Sequence, residues 1–144
     1  MTARKDAVIH IVAAVAIGDR GDMLLVRKRG TASFMLPGGK RMEGETALAA
    51  LARECVEEVG CMPDPGSCRS LGAFRAPAAH EEGCTVEAEL FAACLPGELR
   101  PSGEIEELAW IDPDGAIPYS LALLARDHAL PLARALKMER TGSA

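Results

Sequence analysis

The chain has 144 residues and a formal net charge of −5, enough for one domain, expected over residues 1–144, to bury a core without disulfides or a structural metal. The acidic balance excludes a protein that coats nucleic acid through a basic surface, so no stable nucleic-acid binding is expected; a small anionic ligand carried in with a cation stays compatible. Cys55, Cys61, Cys68, Cys84 and Cys94 form no C-x-x-C pair and are odd in number, which fits free thiols in a reducing cytoplasm better than a disulfide framework.

Val8 to Ile17 reads as a buried strand from its nearly unbroken apolar run. Arg4 and Lys5 ahead of it mimic the charged region of a secretory signal, but His10 interrupts the run and Gly18-Asp19-Arg20-Gly21 follows in place of a cleavage site. Gly18 to Asp22 is a turn and Met23 to Arg29 a second strand, making a hairpin, with Phe34 to Leu36 a further short extended piece. A glycine loop leads to a helix that begins near Glu45 or Thr46 and ends at Gly60. Met62 to Gly66 is a loop, Leu71 to Ala76 a strand and Cys84 to Leu95 a long alternating strand. Pro96 to Gly103 reads as a loop and Leu108 to Ile111 as a short strand. Ser120 to His128 reads as a helix that Pro131 breaks or replaces with another. Arg140 to Ala144 is expected to fray. No stretch is long enough for a transmembrane helix. Strands around a central helix suggest an α+β fold.

The central helix carries the most informative feature. Glu54, Glu57 and Glu58 lie three and four residues apart, so they are neighbours on the helix and repel one another unless a cation neutralises them. Leu48, Leu51, Ala52, Cys55 and Val59 form an apolar stripe beside them, which turns the glutamates towards solvent or a cleft. Oxygen-only ligands suit magnesium or manganese, hard cations that share their shell with substrate phosphates. Zinc is disfavoured, because His10, His80 and His128 are scattered and the cysteines lack close pairs. Taken alone, an E-x-x-E-E triplet is more commonly a solvated acidic face.

Gly39, Glu45, Arg53, Glu54, Glu57, Glu58 and Gly60 fit the pattern G-x5-E-x7-R-E-U-x-E-E-x-G-U, where U is a bulky aliphatic residue, and Leu36-Pro37-Gly38-Gly39-Lys40 leads into it. The segment resembles the Nudix box. It departs from the pattern at Cys55 and Cys61, which stand at the two aliphatic positions; cysteine behaves there as a small buried hydrophobe and touches packing only. The resemblance implies a Nudix-type α/β/α sandwich with a mixed β-sheet. It also implies a metal-dependent pyrophosphohydrolase that cleaves a nucleoside diphosphate linked to a group X into a nucleoside monophosphate and phosphorylated X. By the same resemblance, Glu54 and Glu58 are the main ligands of Mg2+ (or Mn2+), Glu57 shares a metal or its waters, and the backbone carbonyl of Gly38 is a further ligand. Arg53 and Glu45 match positions that brace the loop against the helix through an ion pair. The general base stays open between Glu54 and a carboxylate outside the box.

Outside that segment, Glu104 heads an acidic run with Glu106 and Glu107 before Trp110, and resembles the late glutamate that many Nudix proteins add as a metal ligand; the alternative is a solvated loop. Arg27 and Arg29 share one face at the end of the second strand and are candidates to meet substrate phosphates, as is Lys40 beside the glycine loop, against a plain surface role. His80 and Glu81 are candidates to line the substrate pocket, His80 as an acid, base or phosphate donor. Base stacking is thinly provided for, because Phe34, Phe74, Phe91, Trp110 and Tyr119 also serve the core; Phe74 is the candidate among them.

Two substrate classes compete. The short chain suits a cleaner of nucleoside triphosphates, oxidised dNTPs included, while Pro77, sixteen residues beyond Cys61, loosely resembles a proline of ADP-ribose hydrolases. The alternative is a Nudix ligand-binding or regulatory module without turnover, which damaged carboxylates would mark; Glu54, Glu57 and Glu58 are intact. An isomerase on the same fold would convert an isoprenoid without phosphate release, and no residue favours it. The expected partner is a small-molecule nucleotide, with no membrane, a cytoplasmic location and a homodimer left open.

Overall fold

The first strand, β1 (Val8–Ala16), is buried on both faces from Val12 onward, which is why its apolar run is continuous where a half-exposed strand would alternate. In the computed structural model, which describes residues 7–142, it sits inside a four-stranded sheet. β3 (Gly38–Lys40) flanks it antiparallel on one side and β5 (Thr85–Ala93) parallel on the other, with β4 (Arg69–Pro77) antiparallel at the far edge. β2 (Met23–Lys28) and β6 (Ile105–Ile111) form a separate antiparallel ribbon.

Two cores follow from the alternation of β1 and β2. Val12, Ala14, Ala16, Leu24 and Val26 pack with Ala50, Leu51, Cys55 and Val59 of α1 (Ala47–Val59), while Ala13, Val15, Met23 and Leu25 pack with Leu130 and Ala133 of α2 (Leu130–Gly142). The layers are therefore helix, mixed sheet, helix. Among the described residues the cysteines form no disulfide with one another, and no helix is long and apolar enough to cross a membrane.

α1 starts where its cap dictates: the Thr46 hydroxyl accepts from the Ala49 N–H at 3.1 Å, and Gly60 closes the helix with a left-handed φ of 70°. The apolar stripe is shifted from its expected membership. Leu48 is 46% exposed, and Ala50 takes the buried place. Glu58 lies on the buried side of the helix and Glu57 on the exposed one.

Four other elements differ from the sequence reading. The glycine loop contains β3, a strand that glycine content conceals. β6 begins at Ile105, so Glu106 and Glu107 are strand residues rather than loop, with Glu107 opposite Arg27. Phe34 and Met35 join other strands only through isolated bridges, to Leu121 and Val26. The helix expected over Ser120 to His128 is a wide π turn, Ala125–Ala129, running into α2. Pro131 explains it: the ring has no N–H to give to the carbonyl four residues back and crowds it, and the Leu130 N–H bonds instead to Ala125. The helix continues to Gly142, past the expected fraying point; Ser143 and Ala144, like Arg4 and Lys5, lie outside the described residues.

Removing the helix cap with Thr46→Ala is expected to destabilise the protein by about 1 kcal/mol, with Thr46→Ser restoring most of the loss. Urea unfolding, read as a lower midpoint at unchanged slope, measures it.

Candidate active site

Two adjacent glycines let β3 lie close to β1 on one side and to α1 on the other. A Cβ on Gly38 would strike the Val12 carbonyl and Ala13, and one on Gly39 would stand 2.6 Å from Glu54 Oε1. At Gly38 the obstacle is backbone, so no other residue type fits, whereas a side chain at Gly39 would push the Glu54 carboxyl out of its place. Across that gap the Gly38 N–H donates to Glu58 Oε1 at 2.9 Å.

Arg53 fastens the other end. Its Nε and Nη2 donate to the two oxygens of Glu45 at 2.8 and 2.9 Å, a paired fork. Nη2 also reaches the Lys40 carbonyl at 3.0 Å, and Nη1 reaches Glu54 Oε1 at 2.8 Å with Glu57 Oε1 3.6 Å away. Glu45 in turn accepts from the Met42 N–H. One guanidinium thus ties the loop before α1 to both the start and the middle of the helix. The Arg53 hydrogen bonds hold the Glu45 carboxyl down at about 2, and Met42 adds to the effect.

Glu54, Glu57, Glu58 and Glu104 line one cleft together with Lys28, Gly38, Gly39, Lys40, Ser102 and Gly103. Glu58 is 8% exposed and, among the described residues, has no ion-pair partner. Burial pushes its carboxyl up to about 7, with Glu54 and Glu57 raising it further and the Gly38 N–H and Lys28 opposing. Among the described residues no three acidic, His or Cys side chains converge as they stand into a group that would hold a metal, since Arg53 draws Glu54 aside and like charges spread apart. The donor set nevertheless fits a hard divalent cation: it is all oxygen, it is in excess of its lysines, and its most buried member lacks a counter-charge. Cys55 stays out of this chemistry, because burial pushes its thiol up to about 12, with Glu58 adding to the shift.

A second cleft shares the floor of the first through Lys28, Gly38, Gly39 and Lys40. Its walls are mostly apolar, including Ile9, Ile11, Met35, Val86 and Leu124, and Pro77, His80 and Glu81 complete it. The expected site residues therefore separate into groups. Glu54, Glu57, Glu58, Gly38 and Glu104 gather in the acidic cleft, Lys40 stands in both, and His80 and Glu81 stand in the apolar one.

Arg27 and Arg29 line neither cleft. Arg27 Nη2 and Nε meet Glu107 Oε1 at 3.0 and 3.2 Å while Nη1 meets the Thr31 carbonyl, and Arg29 pairs with Glu106 at 3.3 Å. Both arginines stitch the β2–β6 ribbon. Phase alone separates them from Lys28, which follows Leu24 and Val26 onto the α1 side of β2 and enters both clefts. That alternation was the available signal for Lys28, whereas nothing in the sequence marks Ser102 or the apolar wall. Phe74 packs on the His128 ring, 5.2 Å between centroids, and lines neither cleft.

The sequence pattern of the NUDIX domain matches residues 9–135 of this chain. Among solved structures, a MutT NUDIX hydrolase from Burkholderia pseudomallei is 25% identical, with a TM-score of 0.71 over 89% of this chain and 96% of that one. The ORF135 protein of E. coli is also 25% identical, with a TM-score of 0.65 over 95% and 94%. An ADP-ribose pyrophosphatase from Streptococcus suis, at 20% identity and a TM-score of 0.63 over 92% and 91%, shares the fold. No curated protein matches.

The electrostatics of Glu58 set a sign for stability against pH. Its folded carboxyl holds a proton that the unfolded chain has released, so stability in chelator falls as pH rises from about 4.5 to about 7. The loss is of the order of 3 kcal/mol, at about 1.4 kcal/mol per tenfold change in proton affinity. Glu45 acts oppositely, its contribution being lost as pH falls from 4.5 towards 2. Melting curves across this range in EDTA should show the first slope in the native chain and lose it in Glu58→Gln.

Proposed function

Because this chain belongs to the Nudix family, whose members hydrolyse phosphoanhydride bonds, we propose that it is a divalent-metal-dependent pyrophosphohydrolase. Its substrates would be nucleoside diphosphates linked to a group X, whether dNTPs, oxidised dNTPs, ADP-ribose or nucleotide sugars, and its products a nucleoside monophosphate and phosphorylated X. The observation that carries this reading is the pair of adjoining clefts, one acidic and one apolar, with Lys28 and Lys40 on their common floor. A molecule with an apolar end and a polyphosphate matches that sequence of surfaces.

Glu54, Glu57 and Glu58, with Glu104 and the Gly38 carbonyl, would hold Mg2+ (or Mn2+), which when bound offsets phosphate charge and acidifies water. The remaining work belongs to the chain itself. Lys28 and Lys40 receive phosphate oxygens, each as a mobile point charge rather than a fixed fork. Arg53 and Glu45 act as positioning residues, keeping β3 and α1 in register so that the carboxylates direct the attacking water at the phosphorus from a fixed direction. The proton from the attacking water passes to a carboxylate of the cluster or to one beside it, with Glu54 the candidate inside the cluster.

The test is a product assay with magnesium against dNTPs, oxidised dNTPs, ADP-ribose, nucleotide sugars and dinucleoside polyphosphates, with monophosphate release expected. Metal binding without turnover on the whole panel would instead favour a ligand-binding module. Glu58→Gln and Glu54→Gln should each keep the fold and lose about 100-fold or more in kcat. Arg53→Lys keeps the charge but not the fork, and is expected to lower kcat by about 10- to 100-fold with little change in KM.

A further inference from the structure

Among the described residues, Glu81 Oε2 is the one buried side-chain oxygen or nitrogen without a hydrogen-bond partner, and Glu81 lines the apolar cleft. A carboxylate oxygen withdrawn from water with no donor is a costly arrangement that a ligand can relieve. The local backbone holds it there. The Ala78 N–H donates to the Cys84 carbonyl at 2.9 Å and the Cys84 N–H to the Glu81 carbonyl at 3.0 Å, a tight turn that Gly83 permits with a φ of 80°. The other oxygen, Oε1, stands 3.7 Å from Lys40 Nζ, which leaves Oε2 as the acceptor to be filled.

The surrounding walls limit what can fill it. Away from Lys28, Lys40 and His80, the walls of Ile9, Ile11, Met35, Val86 and Leu124 have no side-chain hydrogen bond to offer, so a sugar lying against them would leave hydroxyls unsatisfied. A heterocyclic base presents apolar faces and confines its donors to an edge. We infer that this cleft takes the nucleobase of a nucleoside di- or triphosphate, and that Glu81 selects bases that present an amino group there over bases that present a carbonyl oxygen. The amino group donates to Oε2, whereas a carbonyl sets two acceptors against each other. The inference rests on the pyrophosphohydrolase reading only for the placing of the phosphates over Lys28 and Lys40.

Equilibrium binding of the α,β-methylene analogues of ATP, ITP, CTP and UTP, in magnesium, tests this without requiring turnover. The native chain is expected to bind each amino analogue at least about tenfold more tightly than its oxo counterpart. Glu81→Ala should bring both ratios to within about twofold, chiefly by weakening the amino analogues, and Glu81→Gln should do the same because its amide can offer either oxygen or NH2. Glu82→Gln, at the exposed neighbour, should keep the native ratios. Equal binding within both pairs, a uniform loss of all analogues in Glu81→Ala, or a loss that tracks 2′-deoxy substitution in place of the base would each overturn the assignment. Selective binding with no hydrolysis of the natural triphosphates would overturn the activity and leave this assignment standing; hydrolysis without base preference would do the reverse.

Discussion

Everything in the acidic cleft depends on how closely the backbone of β3 approaches α1. Gly38 removes the atom that would hold β3 off β1, Gly39 the one that would meet the Glu54 carboxyl on α1, and the Gly38 N–H then spans the remaining gap to Glu58. Arg53 acts from the opposite side, engaging Glu45 ahead of the helix, the Lys40 carbonyl at the end of the strand and Glu54 within the helix. The two devices are complementary: one permits contact and the other prevents sliding. A rigid frame of this kind is what a carboxylate cluster needs, since like charges left on mobile elements would separate.

The electrostatics of the cluster follow from its frame. The helix places Glu58 on its buried side, where water is excluded, and Glu57 on its open side. Arg53 already serves Glu45 and Glu54, so its charge is committed before it reaches Glu58. The innermost carboxylate is therefore the one with least compensation, and burial, with Glu54 and Glu57 adding to it, raises its proton affinity. Proton and metal ion are alternative answers to one excess of negative charge. The lysines on the shared floor stand at the margin of this field, between the two clefts.

Much of this was legible in the sequence because the constraints are local. The spacing of Glu54, Glu57 and Glu58, the cap at Thr46 and the stop at Gly60 are all settled within one helix. Features decided by distant chain segments were not. β3 is a strand because it pairs with β1, and its glycines carry no strand signal of their own. Glu106 and Glu107 read as a loop because their partners on β2 lie far away in sequence. Arg27 and Arg29 are as basic as Lys28, and only the phase of β2 against the α1 core decides which of the three faces the clefts. The apolar wall was invisible for a related reason: Ile9, Val86 and Leu124 look like ordinary core residues until the fold leaves a gap between them.

That wall is built largely from other parts of the chain than the cluster it adjoins. The cluster stands on one helix and one strand, whereas the wall is assembled from the outer half of β1, the tight turn at Glu81 and the start of the wide turn before Pro131. The tight turn and the wide turn take no part in the Arg53 fork, while β1 serves both halves, lining the wall with Ile9 and Ile11 and pairing with β3 through Ile11, Val12 and Ala13. The two halves of the site thus meet on β1 and on the floor of Lys28 and Lys40, and elsewhere draw on different segments. Replacements in the tight turn or around the wide one would therefore reshape the wall while leaving the Arg53 fork and the seat of β3 on β1 in place.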